Sequence, residues 1–165
     1  VNEFDLRMPG EILDKLTDLV VETFSKSESQ IKDGMDIALC MIDYEINKLY
    51  YAGANNPLIM IRDGELTEIK ANKQPIGEFQ NRVPFTTHEI DIKKGDVFYV
   101  YSDGYADQFG GPKGKKFKGK TLKELLLKIH EVPMKEQLVM MNNSFEEWKG
   151  EFEQLDDVCL IGVRI

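Results

Sequence analysis

Ser102-Asp103-Gly104-Tyr105 stands at the end of the apolar run Val97-Phe98-Tyr99-Val100-Tyr101, and Asp156-Asp157 stands just before a second apolar run, residues 158–165. A carboxylate at a strand end can coordinate a hard divalent cation. Magnesium and manganese sites are assembled in this way, from a few Asp oxygens on separate segments with water in the remaining positions. Asp107, four residues after Asp103, is a third candidate. The same residues admit a plainer reading, because Asp-Gly is also a common turn and most such pairs bind nothing.

Signals for other chemistry are weaker. Gly114-Lys115-Lys116-Phe117-Lys118-Gly119-Lys120-Thr121 matches the phosphate-loop pattern. That loop works only where a buried strand feeds it and aims backbone N–H groups at a polyphosphate. Here Phe109-Gly110-Gly111-Pro112-Lys113 feeds it, which is no strand pattern. The stretch reads instead as a solvated lysine loop, or as lysines that draw an anionic, phosphorylated partner to an otherwise acidic chain. Cys40 and Cys159 lie inside apolar runs without metal-type spacing, and are expected to be small buried residues in a reducing compartment. Neither lies in a phosphate-cradling loop, so no covalent phosphoenzyme is expected. His88 and His130 have no spaced partner and read as structural.

The elements that must position these residues follow from periodicity. Ile12, Leu13, Leu16, Leu19, Val20 and Phe24 recur at helical steps after Pro9-Gly10, with a helix end expected at residues 25–29 and a turn at Lys32-Asp33-Gly34. Ile37-Ala38-Leu39-Cys40-Met41-Ile42 is nearly all apolar, which predicts a strand covered on both faces. Strands follow over Lys48–Ala54, Leu58–Arg62 and Glu65–Ile69, the last two joined by Asp63-Gly64, a pair suited to a tight hairpin. Residues 71–84 read as a loop, 85–92 as a strand, Lys93-Lys94-Gly95-Asp96 as a turn and 106–111 as a short helical turn. Helices are predicted over 122–130 and 135–148. The closing apolar run predicts a strand in the middle of a sheet. One helix, a series of strands, two helices and a last strand make an α+β fold, read as a single domain over residues 1–165.

With a net charge of −8 over 165 residues, the chain carries no general excess of cations for nucleic acid or anionic membrane. No apolar stretch reaches the roughly 18 residues of a bilayer span, and the first residues are acidic, so the chain reads as cytoplasmic.

Tyr51-Ala52-Gly53-Ala54-Asn55-Asn56-Pro57-Leu58, Gln74-Pro75-Ile76-Gly77, the run from Gly95 to Gly104, and Asp156-Asp157-Val158 together resemble the SpoIIE-like branch of the metal-dependent type-2C (PPM) serine/threonine protein phosphatases. Asp107-Gln108-Phe109-Gly110-Gly111 and Trp148-Lys149-Gly150 are similar to a subgroup attached to bacterial sensory modules. The resemblance implies an antiparallel β-sandwich flanked by helices, with two Mn2+ or Mg2+ ions at one edge activating water for phosphoserine or phosphothreonine hydrolysis. It implies metal ligation by Asp103 with Gly104 and by Asp156, an additional weaker role for Asp107, and a supporting or capping role for Asp157. The implied partners are a phosphorylated protein such as an anti-sigma-factor antagonist, and an upstream sensor domain.

Two departures stand out. Ala54 occupies the place where the family usually has His, and the strands bearing the family's bridging Asp residues have no counterpart here; Asp33-Gly34 precedes a strand instead of ending one. Little activity is therefore expected of this chain alone, the domain is expected to be incomplete at its N-terminus, and exposed sheet edges predict self-association. The rival expectation is a non-catalytic phosphatase-like binding module.

Overall fold

The apolar stripe after Pro9-Gly10 does form a helix: in the computed structural model, which describes residues 5–25 and 34–165, α1 spans Pro9–Ser25. The stripe is narrower than its sequence spacing implied. Leu13 and Thr17 are buried with Leu16 and Val20 beside them, whereas Leu19 and Phe24 are exposed. Gly10 sits so close to residue 85 that a Cβ there would lie 2.4 Å from the Phe85 carbonyl oxygen, and its N–H donates to Thr87 Oγ1 at 2.9 Å. The turn expected at Lys32-Asp33-Gly34 lies, except for Gly34, outside the described residues.

The remaining elements are β1 (Ile37–Asp43), β2 (Lys48–Ala54), β3 (Leu58–Arg62), β4 (Glu65–Ile69), β5 (His88–Asp91), β6 (Val97–Tyr101), α2 (Gly104–Asp107), β7 (Phe109–Gly110), β8 (Lys115–Lys116), α3 (Gly119–Ile129), α4 (Met134–Lys149) and β9 (Leu160–Arg164). Antiparallel sheets with helices against them make this an α+β fold, as expected. Two compact units share the chain: residues 1–58 with 69–93, and residues 59–68 with 94–165.

In the first unit the sheet order is β1-β2-β5, with β2 antiparallel to both neighbours. Ala52, Ala54, Ile76 and Phe85 gather with Leu13 of α1 into its core. The Tyr51 to Pro57 stretch is held by its own geometry: Tyr51 donates its hydroxyl proton to Asn56 O at 2.6 Å, and Gly53 leaves room for that hydroxyl to cross. Gln74 clamps the long loop, accepting from Val83 N–H at 3.0 Å and donating to Val83 O at 2.6 Å.

In the second unit the order is β4-β3-β6-β9. Asp63 and Gly64 both take positive φ, 52° and 76°, as the tight β3–β4 hairpin requires. Ile59, Ile61, Val97 and Tyr99 form a core with Leu122, Leu126 and Ile129 of α3 and Met141 and Phe145 of α4. Arg62 grips the buried carboxylate of Asp96 with two bonds, 2.8 and 2.6 Å, fixing the turn before β6.

Two strand placements differ from expectation. The sequence of β9 predicts a central strand, but β9 lies at the sheet edge and Ile161 is 54% exposed. Likewise β1, expected to be covered on both faces, is an edge strand of only partial burial. Apolar composition records a demand for cover on the faces of a strand and carries no information about which lateral neighbour is present. The expected helical turn over 106–111 is also shorter: α2 ends at Asp107, and Phe109-Gly110 pairs with Lys115-Lys116 as a small hairpin.

Candidate active site

The sequence-nominated carboxylates lie within the second unit, on two segments whose backbones touch. β6 pairs with β9 from Val97↔Arg164 to Tyr101↔Leu160. Ser102 extends that ladder by one step, donating its N–H to Cys159 O at 2.9 Å. Its hydroxyl then donates to Asp157 O at 2.9 Å and accepts from Cys159 N–H at 3.0 Å. One serine thus sews the end of the first segment to the segment carrying Asp156 and Asp157.

Asp103 follows at the N-cap of α2 in helical geometry, with its carboxylate exposed and not capping the helix. Gly104 is packed directly on the other segment: a Cβ there would stand 2.4 Å from Asp157 O and 3.5 Å from the Asp156 carbonyl carbon. The requirement at this position is therefore for lack of a side chain. Asp156 is exposed, and its Oδ1 accepts from Asp157 N–H at 2.7 Å. Asp157 contributes its carbonyl to the seam with Ser102. Asp107 lies one helical turn beyond Asp103, its N–H donating to Asp103 O at 2.8 Å, and its carboxylate pairs with Lys116 Nζ at 2.6 Å.

A third tie runs through Gln108, which the sequence offered only as one letter of a longer motif. Its side chain is buried, and Nε2 donates to Glu153 O at 2.9 Å, three residues before Asp156. Its backbone carbonyl accepts from Phe117 N–H at 2.9 Å and Trp148 Nε1–H at 3.1 Å. Trp148 in turn explains the glycine pair beside it, since a Cβ on Gly110 would lie only 1.8 Å from the Trp148 carbonyl oxygen. A polar residue set between Asp107 and an aromatic was the available signal.

Tyr105 of α2 donates to Met141 O at 2.9 Å and Tyr99 donates to Gln137 Oε1 at 2.7 Å, so both rings are tied to α4. Burial pushes the hydroxyls of Tyr99 and Tyr105 up, and that of Tyr101 to about 12, with Glu68 adding to the last. All three remain protonated donors at neutral pH.

The phosphate-loop match has no loop to make. Its feeding segment is only the two-residue β7 and the turn that leads to β8, and the backbone N–H groups of Phe117, Lys118 and Leu122 are bonded to Gln108 O, Ala106 O and Lys118 O. His88 stacks on Tyr51 at 5.8 Å, and His130 Nδ1 lies 2.6 Å from Leu127 O at the end of α3. The cysteines correct the expectation of burial: both residues are exposed, Cys40 on edge strand β1 and Cys159 just before edge strand β9. The sulfur of Cys40 is nevertheless sheltered enough that desolvation raises its pKa to about 11.

Two exposed Asp residues on abutting segments suit the oxygen preference of a hard cation, with water completing the shell. Among the described residues, however, no group of three or more His, Cys, Asp or Glu side chains is placed to hold a metal ion. The donors present fit part of a divalent-metal site. Among the described residues, too, no helix is long and apolar enough to cross a membrane.

The family model for stage II sporulation protein E (SpoIIE) matches residues 2–165. No curated protein sequence matches the chain. Among solved structures, the SiaA-PP2C domain of Pseudomonas aeruginosa is similar with TM-score 0.85 and 28% identity, over 96% of this chain and 61% of that one. This chain thus spans about three-fifths of that domain's length. The phosphatase domain of SpoIIE from Bacillus subtilis is similar at TM-score 0.59 and 15% identity, covering 98% of this chain and 75% of that one. The Mycobacterium tuberculosis serine/threonine phosphatase PstP is similar at TM-score 0.60 and 16% identity, over 96% and 74% of the two chains. The PstP catalytic domain has also been solved in complex with two manganese ions.

Proposed function

The chain belongs to the stage II sporulation protein E family, and from that premise we propose that residues 1–165 are the C-terminal portion of a metal-dependent protein serine/threonine phosphatase domain. Its substrate class is phosphoserine or phosphothreonine on a bacterial signalling protein, an anti-sigma-factor antagonist being the kind of partner that fits. A sensor domain upstream and a cytoplasmic site of action complete the reading. One observation carries it: Gly104 packs on the backbone of Asp156 and Asp157, so the two carboxylate segments are neighbours.

In this reading Asp103, Gly104 and Asp156 hold divalent manganese or magnesium, with Asp107 a weaker contributor. Bound ions of this kind polarise a phosphate ester and an attacking water. The chain's own residues set the geometry. Ser102 fixes the spacing of the two segments, Gln108 anchors the approach to Asp156, and Tyr105 pins α2 to α4. Two charged oxygen donors bind such a cation weakly, because affinity rises with the number of charged ligands.

The test is manganese-dependent hydrolysis of p-nitrophenyl phosphate by the intact protein and its Asp103→Asn variant. Loss of turnover on substitution supports the phosphatase reading; equal manganese-dependent rates overturn it. A second reading, a phosphatase-like binding module, draws on the lack of a three-membered ligand group among the described residues. It predicts no turnover in the intact protein and a partner affinity unchanged by Asp103→Asn.

A further inference from the structure

From Gln108 to Thr121 the chain has no acidic residue, while Lys113, Lys115, Lys116, Lys118 and Lys120 supply five cations. Removing these from a net charge of −8 leaves −13 on the rest of the chain. So sharp a local reversal on an acidic body creates a field that attracts anions to one place and repels them elsewhere.

The lysines are carried on a fastened scaffold. Phe109 pairs with Lys116 and Gly110 with Lys115, and below them Phe117 N–H and Lys118 N–H bond to Gln108 O at 2.9 Å and Ala106 O at 2.7 Å. The buried Phe117 ring lies 5.1 Å from Tyr105 and 5.3 Å from Trp148, both edge-on. At the far end Gly111 N–H donates to Trp148 O at 2.8 Å, and Gly114 is packed near the Phe152 ring. The hairpin is therefore anchored both to the segment of Asp103 and to the segment leading to Asp156.

Its cations divide into two groups. Lys116 is committed to Asp107, and Lys120 stands 3.8 Å from Glu124. Lys113, Lys115 and Lys118 are exposed and enter no ion pair among the described residues. Lys118 is held in position by a backbone of positive φ, 78°, where the hairpin turns into α3.

We propose that this hairpin is a docking surface for an acidic segment of a protein partner, engaging Asp and Glu side chains through Lys113, Lys115 and Lys118. It rests on the phosphatase reading only for its corollary, that the docked segment flanks the phosphorylated residue presented beside Asp103. A short acidic peptide can contact the hairpin alone. An anionic membrane or a long nucleic acid would also face the −13 of the remaining chain.

The test is fluorescence anisotropy of a labelled, non-phosphorylated peptide rich in Glu and Asp, titrated with protein without added metal at about 20 mM salt, where screening is weak. The protein, its Lys113→Glu/Lys115→Glu and Lys113→Gln/Lys115→Gln variants, and a Lys70→Glu/Lys73→Glu control whose charge change equals that of the first variant are compared, with folding checked by circular dichroism. Expected is at least about fivefold weaker peptide binding for both hairpin variants and a change within about twofold for the control. Equal binding by the hairpin variants, or an equal loss in the control, overturns the proposal. So does tighter, hairpin-dependent binding to phosphatidylserine vesicles or single-stranded DNA than to the peptide. Because neither phosphate nor metal is used, failure here is distinct from failure of the turnover test.

Discussion

Gly104 presses on the carbonyl of Asp157: the space a Cβ would need lies 2.4 Å from that oxygen, closer than real Cβ contacts come. A single missing side chain therefore lets the strand end bearing Asp103 close on the loop bearing Asp156. Ser102 reinforces the closure with bonds of 2.9 and 3.0 Å to the same loop.

Gly104→Ala should force these segments apart. Backbone cannot yield as a flexible side-chain tip can, so the cost expected is that of overpacking, about 1–3 kcal/mol. Urea denaturation measures it, and the same variant should lose manganese affinity. Unchanged stability would mean that the loop shifts freely.

What the sequence disclosed and what it hid divide along a physical line. The Ser-Asp-Gly strand end, the Asp63-Gly64 hairpin and the helices of the second unit were legible because each is set by local spacing and turn chemistry. The lateral positions of β1 and β9 were not, since an apolar strand looks alike in the middle and at the edge. Nor was the Arg62–Asp96 pair, whose members are 34 residues apart, nor the role of Gln108, whose contact to Glu153 spans 45 residues. The two cysteines misled for a similar reason: Leu39 and Met41, and Val158 and Leu160, are partly buried while the cysteine between each pair is exposed, and an unbroken apolar run does not tell which face each residue takes.

The stretch 158–163 leading through edge strand β9 is apolar, and Arg164 at the strand's end is the one charge there to discourage pairing, so this edge is poorly defended against other strands. Concentration-dependent self-association is expected by light scattering. Ile161→Lys, at a residue 54% exposed, should reduce it while shifting stability by no more than about 0.5 kcal/mol. A monomer at every concentration would refute this.

Cys40 should be a sluggish nucleophile despite lying on an exposed edge strand. Its pKa is raised to about 11 by desolvation, so the neutral thiol dominates at pH 8 and thiolate grows only as pH rises toward that value. In a Cys159→Ser background, reaction with a thiol-directed disulfide reagent should keep accelerating between pH 9 and 11, with about a hundredfold less thiolate at pH 8 than a thiol at the ordinary value of 9.0. A rate that levels off by about pH 10, as for a thiol at the ordinary value of 9.0, would contradict the shelter assigned to the sulfur.

The most direct test of shared ligation by Asp103 and Asp156 is a manganese titration of the intact protein, read from the electron paramagnetic resonance of the free ion. Asp103→Asn and Asp156→Asn should each weaken binding at least about tenfold. Their combination should fall short of the product of the two losses, as expected for ligands of one cluster. Manganese binding that neither substitution alters would contradict the account.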